Sequence, residues 1–472
     1  MRRIVNNIMV CVLLAGFSAC NDWLDVSPKT EMKAEDMFST QAGFRDALIG
    51  VYSLMCTSSS YGRDLTYGYL DVLAQYYDSP RKNTASGYQH SFYHAANYKY
   101  TESAEEERIL SIWQNYYTAI ANINQALEFV DKDLSVFISP EVHDVYKGEL
   151  LALRAMLHFD VLRLFASSPV LNDNTGLSTL AIPYVDVYTN VARPQLTVKE
   201  VLDKVTGDLS EAKTLMRDKE DFDEDDSTMP MYNRKQRMNY YAVTALLARV
   251  YLYGNETGKA LEQAKEIIGE AGGVKPTAYA LASGAATSTD PMFKTELIFT
   301  LDVQKLKDLS ENYFSEAATS TVLSMSGNGK GNVFNASGLD SEFRSRWLKN
   351  LSDGVSFALD KYKDMKYIPL FKLSELYLIA AECAGGATGM AYLNELRNHR
   401  GLATLAESEK LDDYIYQEYR REFIGEGQLF FFYKRKGFAM IGAEDNVALA
   451  NKEEAYNLPI PKSEVEFGNI KN

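Results

Sequence analysis

Cysteine is scarce in this 472-residue chain, which has four, and neither a disulfide framework nor a C-x-x-C redox pair can be built from them. Basic residues are outnumbered, 49 against 64 acids, for a formal charge of −15. An acidic chain with no clustered Lys and Arg excludes nucleic acid as a partner, because phosphate binding rests on such clusters. No apolar run reaches the roughly 20 residues of a membrane-spanning helix. Nucleophile signatures are missing too: there is no G-x-S-x-G and no H-E-x-x-H, and the S-x-x-K at Ser79-Pro-Arg-Lys82 lacks its partner motifs. His90 and His94 stand four apart without a third ligand nearby. The acidic run Asp221-Phe-Asp223-Glu-Asp225-Asp226 opens like a calcium loop, but its sixth position is not Gly and Tyr232 stands where a bidentate Glu belongs. Carboxylate pairs for glycoside hydrolysis abound among 64 acids, and nothing singles one out. The expectation is a protein without catalysis, metal site or cofactor.

What is present begins at the N-terminus. Arg2 and Arg3 precede the apolar run Ile8 to Phe17, which ends at Ser18-Ala19-Cys20. Residues 1–19 therefore predict a secretory signal peptide, and the small residues before Cys20 resemble a lipobox, with Phe17 where Leu is more usual. Cys20 is the expected lipidation site and new N-terminus, with ordinary cleavage near Ala19 as the alternative. Two acyl chains anchor firmly, at about 0.8 kcal/mol per buried methylene. Loss of Arg2 and Arg3 takes the formal charge from −15 to −17. Cys56 and Cys383 then remain, and two buried free thiols are expected rather than a bridge.

Helical periodicity dominates the rest, with amphipathic stretches at 106–130, 141–166, 197–217, 237–254, 257–270, 371–384, 387–400 and 411–427. Ser139-Pro140-Glu141 opens one helix, Thr197 and Glu200 form a capping box, and Gly254 and Gly401 mark ends. Leu247, Ala248, Tyr251 and Ala260 fall at the spacing of a tetratricopeptide unit, in which small residues let paired helices approach closely. A degenerate second copy lies at Tyr377–Glu382 and Ala391–Arg397, and a non-repetitive bundle is the alternative. Charged residues on these apolar helices, Arg154, Glu382, Arg397, Glu422 and Glu426, are expected to pair within the chain. Three stretches, 57–105, 170–194 and 271–368, break the pattern. They hold one strand candidate, Glu296–Leu301, and are where function is expected. The predicted fold is mainly α, built of tetratricopeptide-like helix pairs with long irregular loops and minor β. Residues 20–472 form one body, with an N-terminal part to 217 and a C-terminal part from 218.

Cys20-x-x-x-Leu24-Asp25-x-x-Pro28, Trp113-x-x-Tyr116-x-x-x-Ile120-x-Asn122, Glu149–Phe165 and Ile182-Pro183 resemble, in order, segments of the SusD/RagB family of nutrient-binding lipoproteins. Leu246–Tyr253, Glu375–Glu382, Leu393–Arg397, Arg420–Gly427 and Leu458-Pro-Ile-Pro461 continue the resemblance. His158 departs from a common Tyr, Gln428 from a frequent Arg, and Phe430–Tyr433 from a more polar segment. The resemblance implies a lipid-anchored outer-membrane protein at the cell surface. It also implies a SusC-like TonB-dependent transporter as partner.

Residues 61–117 hold eleven of the 31 tyrosines. Tyr76, Tyr77, Tyr88, Tyr93, Tyr98 and Tyr100 lie in the least helical part, so exposed rings are expected there. A ring face suits the C–H side of a pyranose, while Asp78, Asn83, Gln89 and Asn97 supply hydrogen bonds. Tyr313, Phe314, Phe343 and Trp347 in the other irregular region are further ligand candidates. An oligosaccharide is the expected cargo. An oligopeptide remains open, as do a tetratricopeptide adaptor and a surface glycosidase at lower weight.

Overall fold

The structure, a computed structural model, describes residues 33–81, 89–216, 233–318, 321–334, 342–468 and 470. Cys20, Asn83, Tyr88 and the acidic run 221–226 lie outside the described residues.

The body is a succession of helices in which each packs on the next. After α1 (Gln41–Met55) come α2 (Ser103–Val130), α3 (Pro140–Phe165), α4 (Val198–Leu215), α5 (Tyr240–Tyr253) and α6 (Thr257–Ile268). Two short helices, α7 (Leu306–Phe314) and α8 (Gly327–Phe334), sit in irregular chain before α9 (Leu373–Ala384), α10 (Gly386–His399), α11 (Leu411–Glu422) and α12 (Gln428–Lys436). Contact runs from α1 through α6, then to α9, α10 and α11. The predicted caps hold: Ser139 Oγ accepts from Val142 N, and Thr197 and Glu200 cap each other reciprocally. At the centre lies α3, where every residue from Gly148 to Phe165 is buried, including the ionisable Glu149, Arg154, His158, Asp160 and Arg163. Gly148 allows α4 to come close, since a Cβ there would meet the Ala212 carbonyl oxygen at 3.2 Å. Ala248 on α5 and Ala260 on α6 are likewise fully buried in a closely packed pair.

Strands are few. Leu180–Pro183 (β1) pairs with Gln195–Thr197 (β2), while Leu297–Asp302 (β3), shifted by one residue from its predicted place, runs antiparallel to a later strand, Tyr367–Lys372 (β7). Between them Ser324–Ser326 (β4), Leu348–Asn350 (β5) and Ser356–Leu359 (β6) form a sheet in the order β4-β6-β5. The Leu458–Pro461 segment is neither helix nor strand and leans on α3 through Leu458 N to the Leu164 carbonyl at 2.9 Å.

Two expectations need correction. The helix read over 411–427 stops at Glu422, because Gly425 and Gly427 adopt positive φ (+83° and +69°) and donate their N–H groups to the Asp71 carboxylate at 2.6 and 3.0 Å. Gly427 therefore opens α12 rather than ending α11, and a Cβ on it would strike the Leu65 carbonyl oxygen at 2.4 Å. The other correction is α1, which lies where no helix was assigned, burying Phe44, Leu48, Val51 and Met55 at helical spacing.

The charged residues of the apolar helices are paired as expected: Arg154 with Asp208, Glu382 with Arg435, and Arg397 with Glu418. Cys56 and Cys383 are free thiols, each partly buried. No helix among the described residues is long and apolar enough to cross a membrane.

Candidate functional site

The tyrosine-rich segment does not stand out as a platform of rings. Tyr76 and Tyr77 are 1% exposed. The Tyr76 hydroxyl donates to the Arg420 carbonyl at 2.6 Å and the Tyr77 hydroxyl to Asp71 at 3.4 Å. Tyr100 is buried and donates to the Ala455 carbonyl. Tyr98, at φ +54°, donates to the Leu73 carbonyl at 2.8 Å and accepts from Gln75. The physical reason is general: a buried tyrosine is tolerated when its hydroxyl finds a partner, and the Arg420, Leu73 and Ala455 carbonyls that accept here lie in the last turns of helices, where carbonyls lack an intrahelical partner. Trp347 is also core, 1% exposed, with Lys361 Nζ 3.8 Å from its ring centroid and Phe293 beside it. Phe314 is buried, whereas Tyr93, Tyr313 and Phe343 are half-buried. Tyr313 accepts from Arg63 at 3.3 Å and packs its ring on Phe92. Asn97 is turned back onto the Tyr93 carbonyl.

Asp78 is the one predicted ligand residue that organises a surface. Its backbone N–H donates to the Ser324 carbonyl at 2.8 Å, and its carboxylate accepts from Ser326 N at 2.7 Å. The turn at 78–81 is thus stitched to β4. The Ser326 hydroxyl donates to Glu444 and accepts from Gly329 N at 3.0 Å, which fixes the start of α8 against segment 439–448. Gly329 is required there, as a Cβ would press on Met325 and Ala443 at 2.9 and 3.0 Å. Asn332 donates to the Ala443 carbonyl and to Asp445, and Asp445 is held by Arg420 at 2.9 Å and by the Tyr416 hydroxyl.

Three irregular segments therefore meet at one surface. On it Lys330 Nζ lies 4.0 Å from the centroid of the half-buried Phe357 ring, and partial burial lowers the Lys330 pKa. Val355, two residues before Phe357 in sequence, is 67% exposed. Around α8 stand a ring face, a cation, an amide and the carboxylates of Asp78, Glu444 and Asp445, each carboxylate already accepting a bond from within the chain. Lys330 and Asn332 were not among the sequence candidates, although the run Gly327-Asn-Gly-Lys-Gly-Asn332 is the turn-rich signal that marks them.

The surface is held rigid from behind by buried ion pairs. Arg344, fully buried, reaches Glu342, Glu418 and Glu422 at 2.6 to 2.9 Å, and Arg400 joins Glu422 to Glu296. Lys372 lies between Glu422 and Glu426, and Lys361 pairs with Glu426. Irregular chain at 342–372 is thereby clamped to α10 and α11. Burial alone would raise the Glu418 carboxyl, but Arg344, Arg421 and Arg397 hold it down at about 2. A separate cleft of about 960 Å3 opens between α1 and the end of β3. Its Tyr52 is turned inward, donating to Glu149 and accepting from Met238 N, and its Arg45 pairs with Asp46.

A family described as starch-binding and associating with the outer membrane matches residues 22–252, and the profile of the SusD family matches residues 217–466. A SusD-like protein of Formosa agariphila is 22% identical over 507 residues, spanning 90% of this chain and 88% of its own. A solved SusD-like carbohydrate-binding protein from Bacteroides vulgatus superposes with a TM-score of 0.70 at 16% identity, covering 91% of this chain and 96% of its own. A laminarin-binding SusD-like protein gives 0.65 at 17% identity, covering 92% and 98%. The chain with this helical body and this three-segment surface belongs to the SusD family.

Proposed function

We propose that the protein captures an oligosaccharide at the surface of the outer membrane and passes it to a SusC-like, TonB-dependent barrel transporter, without transforming it. The observation that carries the reading is the half-buried ring of Phe357 beside Lys330, on the helix whose exposed Asn332 reaches Asp445. Sugar recognition uses that combination: the C–H face of a pyranose covers the ring, and hydroxyls bond to amide and carboxylate. Relatives named for carbohydrate and laminarin binding support the class of cargo. A lipid anchor at Cys20, following the leader 1–19, keeps the protein at the membrane.

An oligopeptide is the second reading, and Lys330 favours it, since it has no ion-pair partner among the described residues and suits a peptide carboxylate. Calorimetry of the lipid-free mature chain against neutral hexasaccharides and a tryptic peptide mixture separates the two. Saccharide binding that weakens in Phe357→Ala supports the first reading. Binding of peptides alone, lost in Lys330→Ala, replaces it with the second. Pull-down in mild detergent tests the barrel partner, and mass spectrometry of the mature N-terminus tests acylation of Cys20. Hydrolysis of a polymer by the purified chain would overturn the transport reading.

A further inference from the structure

A second groove, of about 670 Å3, lies between α2, the loop joining β1 to β2, and the C-terminal residues near Glu464. It shares no residue with the Lys330 and Phe357 surface, and its volume falls within the roughly 300 to 1,000 Å3 of small-molecule sites.

The loop is fixed at its root and free at its tip. Val185 N donates to His158 Nε2 at 2.9 Å, the Val185 carbonyl accepts from Asn124 at 2.8 Å, and the Asp186 carbonyl accepts from Arg154 at 3.0 Å. Three buried side chains thus hold two successive residues. Beyond them Tyr188 stands 52% exposed, without a ring or hydrogen-bond partner among the described residues, between Val187 at 43% and Val191 at 66%. Opposite, Trp113 and Tyr117 form the floor, their rings 4.7 Å apart between centroids and tilted by 41°, and the Tyr117 hydroxyl is spent on the Pro183 carbonyl at 2.9 Å. Exposed Gln114, Thr118 and Asn122 line the α2 side.

Arg193 gives the groove its direction. Its guanidinium lines the space, and its Nε is buried without a hydrogen-bond partner among the described residues. A donor without a partner inside the chain favours a ligand oxygen once the side chain turns it toward the groove. Glu464 lines the same groove, where its carboxylate accepts a hydrogen bond from the Trp113 indole and keeps acceptor capacity beyond it. An anionic ligand meets that carboxylate and a cationic one meets Arg193, whereas a neutral polyol gives hydroxyl oxygens to the one and hydroxyl protons to the other.

We infer that this groove is a second saccharide-binding site, taking a short stretch of neutral oligosaccharide with one sugar ring on the Tyr188 face and hydroxyls on Asn122, Arg193 and Glu464. It extends the oligosaccharide reading to a different part of the molecule and gives the protein two grips on one kind of cargo.

The test titrates the full mature chain with maltohexaose, cellohexaose and laminarihexaose, by calorimetry and by tryptophan fluorescence, alongside Tyr188→Ala, Arg193→Ala and Phe357→Ala. Wild type is expected to give a two-site isotherm with at least one sugar. Tyr188→Ala and Arg193→Ala should weaken one component tenfold or more and abolish the Trp113 fluorescence change, with melting temperature unchanged. Phe357→Ala should remove only the other component. An isotherm and fluorescence response unaltered in both groove variants overturns the inference and leaves the first site standing. Loss of all binding in Phe357→Ala alone has the same meaning. If none of the three sugars binds wild type at 10 mM, the groove is not a saccharide site.

Discussion

The hydroxyl of Tyr76 donates to the backbone carbonyl of Arg420 at 2.6 Å, a bond between residues 344 apart in sequence and fully buried at both ends. Tyr76→Phe leaves that carbonyl without its donor and should cost about 1 to 2 kcal/mol of stability. Tyr76→Ala also opens a cavity and should cost about 3 to 5 kcal/mol. Denaturant titration reads both, and the ligand affinity of the folded protein should stay at the wild-type value in each.

Lys330→Ala removes a cation without an ion-pair partner among the described residues and should leave the melting temperature within about 2 °C of wild type, whereas Phe357→Ala takes away a half-buried ring packed on the core and should lower it. Their affinity for the preferred ligand should fall about tenfold or more, measured by calorimetry. Wild-type affinity in both variants would move the principal site elsewhere.

Glu382 is nearly buried. That alone would raise its carboxyl, but Arg435 and Lys436 hold it down at about 2. A carboxyl lowered in the folded state adds stability above the unfolded value near 4.5 and loses it as pH falls toward 2. Glu382→Gln should therefore be less stable by about 3 kcal/mol at pH 7. The gap should narrow below pH 4.5 and close near pH 2, as followed by urea unfolding across that range.

Much of the helical body is legible in the residues. Ser139-Pro140 and the Thr197 and Glu200 pair announce their helices because capping is a local transaction. The pairing of Arg154, Glu382 and Arg397 follows from the cost of an unpaired charge on an apolar helix. The site is less legible for a physical reason: Tyr76, Tyr77 and Trp347 are aromatic residues in irregular chain, and composition cannot say whether such a ring faces solvent or a distant backbone carbonyl. The break after Glu422 was hidden for the same cause, since the Asp71 carboxylate that captures Gly425 and Gly427 lies some 350 residues away.

Arg344 sits among Glu342, Glu418 and Glu422 with no exposure to solvent. Arg344→Ala takes from Glu342 its nearest cation and from Glu418 and Glu422 one of several, and should cost about 3 to 5 kcal/mol. Because Arg344 ties irregular chain to α11, limited proteolysis should cut within 342–372 in the variant well before it cuts wild type.

His158 is held neutral. Burial lowers it to about 3, although the Arg154 carbonyl favours the charged form by accepting from its Nδ1. Stability from this residue is full above the unfolded value near 6.5 and falls as pH drops toward 3, on the order of a few kcal/mol in all. Its ring signals in an NMR titration should not move between pH 8 and 5, and acid should loosen the Val185 anchor before it loosens α2.

The closing of Gly425 and Gly427 over Asp71, with Gly427 pressed against the Leu65 carbonyl, has a bearing on biogenesis. As the polypeptide is delivered from its N-terminal end, the first half emerges with a carboxylate, a tyrosine hydroxyl and an apolar seat whose complements are among the last to arrive. Early compaction without them is incomplete, so assembly waits for the tail. Truncation before α11, however tidy at a loop, should yield material bound by chaperones rather than a smaller folded protein.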